Sequence, residues 1–441
     1  MVDNPAKYVI KSKVMKDSKR DIISWALYDW ANSAFATTVM AAFFPIFFSA
    51  YWAHGAESSV TTFYLGMANS IASVCVAAMA PILGAIADSG SYKKRFLMFF
   101  SFLGAVMSAA LWFVSMGAWP LAICFYVAAC IGFSGGNTFY DSLLPTVASE
   151  KKVDFVSSLG YSLGYIGGGL LFLINVLMYI KPHMFGLPDE IAAVKLSFLM
   201  VGIWWFVFSL PIFIFVKEEK SEKSITFREA AKLGFGQIAK TFKDIRILKT
   251  LGIFLIAYWC YIDGVDTIIR MATDYGTALG FPAESLIIAL LITQFVAFPS
   301  AIAYSWFGRK VGVKRAIQVA ILAYASIAVI GFFMTKPIHF YLLAICIGLF
   351  QGGIQALSRS YYSRLIPEEN ASQFYGFFNM LGKFAAIIGP MLVGVVSLIT
   401  GEQRYGIVSL ILLFAIGFVL LTKVDGDKAE KELELYRSTD N

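Results

Sequence analysis

Asp29 and Asn32 stand in the stretch WALYDWANSAF (residues 25–35), inside an apolar run from Ile22 to Ala53. An ionised side chain in hydrocarbon costs at least ~2.5–3.5 kcal/mol, so such a residue must face a partner or a water-filled cavity. Three residues apart, the two share one helical face. Asp263, Asp266 and Arg270 repeat the situation at i, i+3 and i+7, with Asp266 and Arg270 also spaced to neutralise each other. Gln351, Gln355 and Arg359 form a polar stripe at four-residue steps, and Lys383 lies in a later apolar run. Asp141 lies one turn before Pro145, as either a gate charge or a helix-end acid reaching for water. Tyr161 and Tyr165 share a face. Carboxylates, amides and bases in this mixture match a solute carrying both a carboxylate and an amine. The three histidines (His54, His183, His339) are far apart and lack metal or nucleophile spacing, so enzyme chemistry is not expected.

The elements that must hold these groups are membrane-spanning helices. At 58% hydrophobic, 16% aromatic and 15% charged residues the chain is far more apolar than soluble proteins. Twelve apolar runs approach the ~20 residues that cross a bilayer as helix. They cover roughly 25–52, 60–87, 96–116, 119–148, 154–180, 191–216, 247–278, 283–307, 316–334, 338–366, 372–400 and 403–422. A β-barrel would need ~10-residue alternating strands instead. Most of the 36 Lys and Arg fall in alternate connections, which places both termini in the cytoplasm by the positive-inside rule. The net charge of +7 is then a topology signal, and nucleic acid is not an expected partner. All five cysteines lie inside apolar runs and read as small packing residues. The basic N-terminal segment leads into the first run with no small-residue cleavage site, so no removed signal peptide is expected.

The chain also repeats itself. Trp25 and Asp29 match Trp259 and Asp263; Pro145 and Gly160 match Pro367 and Gly382. In the loop SWFGRKVGVKR, Arg309 falls on Asp88, Lys314 on Lys93 and Arg315 on Lys94. The resulting division is an N-terminal tail (1–24), a six-helix bundle (25–216), a cytoplasmic linker with an amphipathic helix (217–249), a second six-helix bundle (250–422) and a C-terminal tail (423–441). That tail reads as a short solvated helix or a frayed end. Gly160, Gly164 and Gly168 form a flat strip suited to tight helix contact.

Between the second and third runs, GAIADSGSYKKR supplies Gly84, Asp88, Lys93, Lys94 and Arg95. This resembles the signature loop of the major facilitator superfamily, with Ser91 and Tyr92 where that loop usually has glycine and arginine. WALYDWANSAF, YDSLLP, GGIQALSRSYYSRLIP and MLGKFAAIIGP further resemble the superfamily branch of autophagy-related vacuolar effluxers and their bacterial relatives, from Trp25 to about Leu421. The resemblance implies an all-α membrane protein of twelve transmembrane helices, in two six-helix pseudo-symmetric bundles that rock around a central cavity. For fungal members it implies amino-acid export from the vacuole. The first, fourth, seventh and tenth helices would line the cavity. Asn32, Tyr161, Asp263, Asp266, Arg270, Gln355 and Lys383 are then expected to face substrate. Asp29, Asp141 and Arg359 are expected to serve gating or proton coupling.

The expected function is secondary active transport of an amino acid or related zwitterion, with efflux favoured. Export of lipid or amphipathic drug-like molecules is one alternative, and a non-transporting receptor or scaffold retaining the fold is another. The expected partners are the lipid bilayer, a small-molecule substrate and protons as coupling ion, with no cofactor. The chain is expected to be a monomer in a bacterial cytoplasmic membrane.

Overall fold

The computed structural model describes residues 16–55, 58–218, 229 and 247–440. The expected basic tail before Lys16 and the expected amphipathic linker helix lie outside these residues. The chain forms α1 (Lys19–Trp52), α2 (Ser58–Gly90), α3 (Lys93–Ala110), α4 (Trp119–Val147), α5 (Val153–Ile180) and α6 (Glu190–Phe215). These are followed by α7 (Lys249–Ala278), α8 (Ala283–Val311), α9 (Val313–Phe332), α10 (Pro337–Leu365), α11 (Ala371–Thr400) and α12 (Gln403–Thr422), and then by a thirteenth helix, α13 (Gly426–Asp440). Among the described residues, eleven helices are long and apolar enough to cross a membrane, and α11 with its apolar stretch Ile388–Thr400 makes the twelfth. Phe99, Phe102, Ile214, Leu322 and Leu398 point outward, an exposure suited to acyl chains rather than water.

Each half has its own apolar core. One joins residues of α7 to α13, from Leu248 to Tyr436, and two others join residues of α1 to α6. The junctions α2/α3, α4/α5, α8/α9 and α10/α11 lie at the same end of the molecule as both described chain ends, here called the terminal face.

Local sequence explains the departures from straight helix. Pro45 in α1 has no N–H to donate, and the chain before it widens to a π-helix over Phe35–Phe43, with the Phe44 N–H bonding five residues back to Val39. Asp189 caps α6 by accepting from the Ala192 N–H at 2.7 Å. The N-terminus of α3 is capped from afar, since Glu218 accepts from the Lys93 and Lys94 N–H groups at 2.7 and 3.2 Å. Burial still pushes the Glu218 carboxyl above its ordinary value. Ser91 has a φ of 55°, so the loop keeps the left-handed turn that glycine would make without steric cost.

Ahead of α1, Asp17 accepts from the Ser149 N–H at 3.0 Å and the Ser149 hydroxyl at 2.8 Å, tying the chain to the α4/α5 turn. Burial alone would raise the Asp17 carboxyl, but these bonds and Lys152 outweigh it and hold the group below its usual range. The contact therefore stabilises above the unfolded carboxylate range and fades as pH falls through the folded value.

Two expectations need correction. The Lys94 ammonium donates to the Phe213 and Val216 carbonyls at 2.9 and 2.6 Å, and Lys314 donates to Thr422 and Val424 at 2.8 and 2.6 Å. Lys314 is thus the counterpart of Lys94, not of Lys93, and Asp88 falls on Gly308 rather than Arg309. A basic pair slides by one residue without changing its look in sequence; only the carbonyls it caps fix the register.

Of the two expectations for the C-terminal tail, the short helix is the one that forms and the frayed end is not, though the helix is docked rather than free. In α13, Glu432 accepts from the Thr250 N–H at 2.9 Å, the Tyr436 hydroxyl accepts from Asn370 at 3.0 Å, and Ala429 and Tyr436 are buried. Deleting residues 426–441 should lower thermal stability by several degrees, because burying one large side chain is worth ~1.5–3 kcal/mol. A thermal melt of the detergent-solubilised protein reads this directly.

Candidate functional site

The site begins with the glycines of α5. A Cβ at Gly160 would fall 2.7 Å from Asp29 Oδ2, one at Gly164 would fall 2.6 Å from Ser33 Oγ, and one at Gly168 would fall 2.8 Å from Thr37 Oγ1. The strip therefore lets α1 lie against α5 and delivers Asp29 to the junction of α1, α4 and α5. There the Tyr140 hydroxyl donates to Asp29 Oδ2 at 2.8 Å, and the Trp25 indole donates to the Tyr140 carbonyl at 3.0 Å.

Arg359 enters from α10 of the other bundle and is only 2% exposed. Its Nη1 donates to Asp141 Oδ1 at 3.0 Å, and both Nη1 and Nη2 reach Asp29 Oδ2 at 3.4 Å. Nε donates to the Ser157 hydroxyl and Nη2 to the Ser157 carbonyl, each at 2.9 Å. Asn379 of α11 donates to Asp141 Oδ2 at 3.2 Å. The guanidinium also lies 4.9, 5.4 and 4.2 Å from the ring centroids of Trp25, Tyr140 and Tyr161. With both acids ionised the cluster would carry one more negative than positive charge, a costly arrangement at this depth.

Further bonds between the bundles lie toward the terminal face or near mid-membrane. Asp88 accepts from the Ser372 and Gln373 N–H groups at 3.1 and 2.8 Å, so its charge caps the N-terminus of α11. Lys93 pairs with Asp88 at 3.0 Å, and the Arg95 guanidinium lies over the Tyr92 ring. Gly84 lies against the Ser372 backbone and Gly376 against that of Ala80, so α2 and α11 cross in close contact. Arg364 pairs with Asp154 at 2.7 Å and Lys16 with Glu368 at 2.8 Å. Ser157 donates to the Ala356 carbonyl and Ser162 to the Phe298 carbonyl, both at 2.8 Å, while Gln294 donates to Thr37 at 3.2 Å.

Of the residues expected to face substrate, Tyr161, Asp266 and Gln355 are half-buried and Arg270 is exposed. The Tyr165 hydroxyl donates to Gln355 Oε1 at 2.6 Å across the bundles. The Lys383 side chain lies outside the described ones.

Two of the expected groups are engaged elsewhere. Asn32 is 1% exposed and donates to Asn137 Oδ1 at 2.6 Å. Asp263, also 1% exposed, accepts the Gly389 N–H on both oxygens at 3.0 and 2.9 Å, with the Thr267 hydroxyl at 3.4 Å. Pro390 follows directly and interrupts the α11 ladder, so Asp263 serves the backbone at a proline break rather than open space. Asp263→Ala should cost on the order of 2–3 kcal/mol, the price of a buried donor left without its charged acceptor. The check is a thermal melt in which Asp263→Ala loses far more stability than Asp266→Ala.

Tyr140, Ser157, Asn137 and Asn379 escaped sequence reasoning. Ser157 lies just before the α5 strip and Tyr140 opens the YDSLLP segment, but nothing in their own type or spacing separates them from other polar residues of these helices.

This arrangement of two six-helix bundles is the architecture of major facilitator transporters. The chain aligns with the proton:xylose symporter XylE at a TM-score of 0.70 and 11% identity, covering 92% of this chain and 95% of that one. It aligns with the human organic anion transporter MFSD10 at 0.69 and 15%, covering 92% and 100%. FucP in its outward conformation gives 0.64 and 15%, covering 92% and 98%. At such identities the likeness establishes the fold.

The family follows from the sequence: residues 51–434 match the family described as vacuole effluxer Atg22 like, and the chain belongs to it. It is 40% identical over 433 residues to the MFS-type transporter YxiO of Bacillus subtilis, covering 96% of this chain and 100% of YxiO. It is 26% identical over 404 residues to autophagy-related protein 22 of Saccharomyces cerevisiae, covering 78% and 74%. The chain is thus a transporter of the major facilitator type.

Proposed function

We propose that the protein exports a small zwitterion, an amino acid or a close relative, across a bacterial cytoplasmic membrane by alternating access. The observation that carries this reading is that Arg359 of one bundle is held by Asp29 and Asp141 of the other. The terminal face carries most of the Lys and Arg residues, which supports a cytoplasmic assignment. In that reading the structure is the state closed toward the cytoplasm. Tyr161, Asp266, Arg270, Gln355 and Lys383 bind the solute, with Asp266 taking its ammonium and the basic groups its carboxylate. A proton on Asp29 or Asp141 balances the gate when Arg359 withdraws, so protons are the coupling ion.

The test is counterflow of labelled amino acids into liposomes holding the purified protein, beside sugars and a lipophilic cation. Asp266→Asn and Lys383→Ala should each lower amino-acid exchange at least ~10-fold, about 1.4 kcal/mol of lost binding or transition-state stabilisation. Unaltered exchange in both variants, or exchange of the lipophilic cation alone, would overturn the assignment.

A further inference from the structure

The Arg359 guanidinium occupies a cavity built almost wholly by the other bundle. Trp25 and Asp29 come from α1, Tyr140 and Asp141 from α4, and Ser157 and Tyr161 from α5. All six belong to the N-terminal half. Three aromatic rings within 5.4 Å of one cationic carbon, with two carboxylates and a serine beside it, are the composition of a receptor for an organic cation. Trp25 and Tyr140 are stacked at 4.3 Å and bonded through the indole, so this part of the wall is pre-assembled without Arg359.

From this we infer that the pocket is a cation-binding site in its own right, and that Arg359 is its tethered occupant. This rests on the alternating-access reading, in which α10 and its arginine draw away when the terminal face opens. A proton on one of Asp29 and Asp141 still leaves the other without a counter-charge, and leaving it bare is far costlier than refilling the site. The ligand that replaces the guanidinium is a small organic cation, an ammonium or guanidinium group of a solute arriving from the terminal face, which occupies the cage before it passes on to Asp266. Arg359 returning to the cage then displaces that group, so departure of the cation and closure of the terminal face are one exchange.

The experiment uses Arg359→Ala protein in detergent and follows thermal unfolding with added methylguanidinium, tetramethylammonium or sodium chloride at equal ionic strength. Methylguanidinium or tetramethylammonium should raise the melting temperature of Arg359→Ala by several degrees at low millimolar concentration and leave the unsubstituted protein unmoved. The preference between these two tells a guanidinium-type from an ammonium-type ligand. Arg359→Ala/Tyr161→Ala should need at least ~10-fold more cation, whereas Arg359→Ala/Tyr161→Phe, which keeps the ring, should not. Equal shifts with and without Arg359, equal shifts with sodium, or indifference to Tyr161 would each overturn the proposal.

If Arg359→Ala does not fold, Ser157→Cys in an otherwise cysteine-free chain that keeps Arg359 carries the same test. Alkylation of that cysteine by N-ethylmaleimide samples only the open moments in which Arg359 has left the cage, unlike the melt of the closed protein, so organic cation should slow it, and an unchanged rate would overturn the proposal. These readouts involve no flux, so a failure here is separable from a failure of the liposome assay.

Discussion

Arg359→Ala should lower transport at least ~100-fold and leave the protein unable to keep its terminal face closed. Removing one partner of a buried ion pair costs ~3–5 kcal/mol, because the other charge stays buried and uncompensated. Here two carboxylates are stranded, Asp29 at 8% and Asp141 at 6% exposure. That penalty falls on the closed state alone, so the equilibrium between closed and open moves by about two to four powers of ten. Arg359→Lys should recover little, since one ammonium cannot reach Asp29, Asp141 and both Ser157 oxygens as the fork does. The combined Asp29→Asn, Asp141→Asn, Arg359→Gln variant should regain thermal stability without regaining transport, as no charge remains to exchange. Flux in liposomes and a thermal melt of the three proteins check the series; full transport by Arg359→Ala would refute it.

Gly84→Val should act at the same face by steric means. A Cβ there would lie 2.7 Å from the Ser372 carbonyl carbon and 2.8 Å from Gln373 Cα, and backbone cannot swing aside as a side chain can. The crossing of α2 and α11 must open, pulling Ser372 and Gln373 away from Asp88. Transport should fall at least ~10-fold while the protein still folds, because the apolar cores of the two halves are untouched. A cysteine placed at Ser142, which is buried beside Ser372, should become at least ~10-fold more reactive from the terminal face. Gly394→Ala in α11 is the control, since a Cβ there meets nothing within 4 Å and should change neither readout.

What could be read from sequence follows from what hydrocarbon forbids. Charges are so costly in an apolar run that Asp29, Asp141 and Arg359 stand out, and the structure brings all three to one point. The helices likewise fall close to the runs, because a span must be long and continuous. Tyr140 and Ser157 were invisible, since tyrosine and serine are ordinary in membrane helices and only a neighbour's guanidinium gives them a task. Asp263 shows the limit of periodicity, which assigns a residue to a face without saying whether that face meets water or the backbone of α11. The docking of α13 turns on Ala429 and Tyr436, too few apolar residues to mark a buried face in a charged segment.

In the proposed cycle, bonds between the bundles hold the terminal face shut and are surrendered at each turnover. Spin labels at positions 152 and 369, exposed sites on the α4/α5 and α10/α11 turns of opposite bundles, measure that gap by electron–electron double resonance. A short distance should dominate in the unsubstituted protein and give way to a longer one in Arg359→Ala. A distance distribution that Arg359→Ala leaves unchanged would show that these bonds do not hold the face shut.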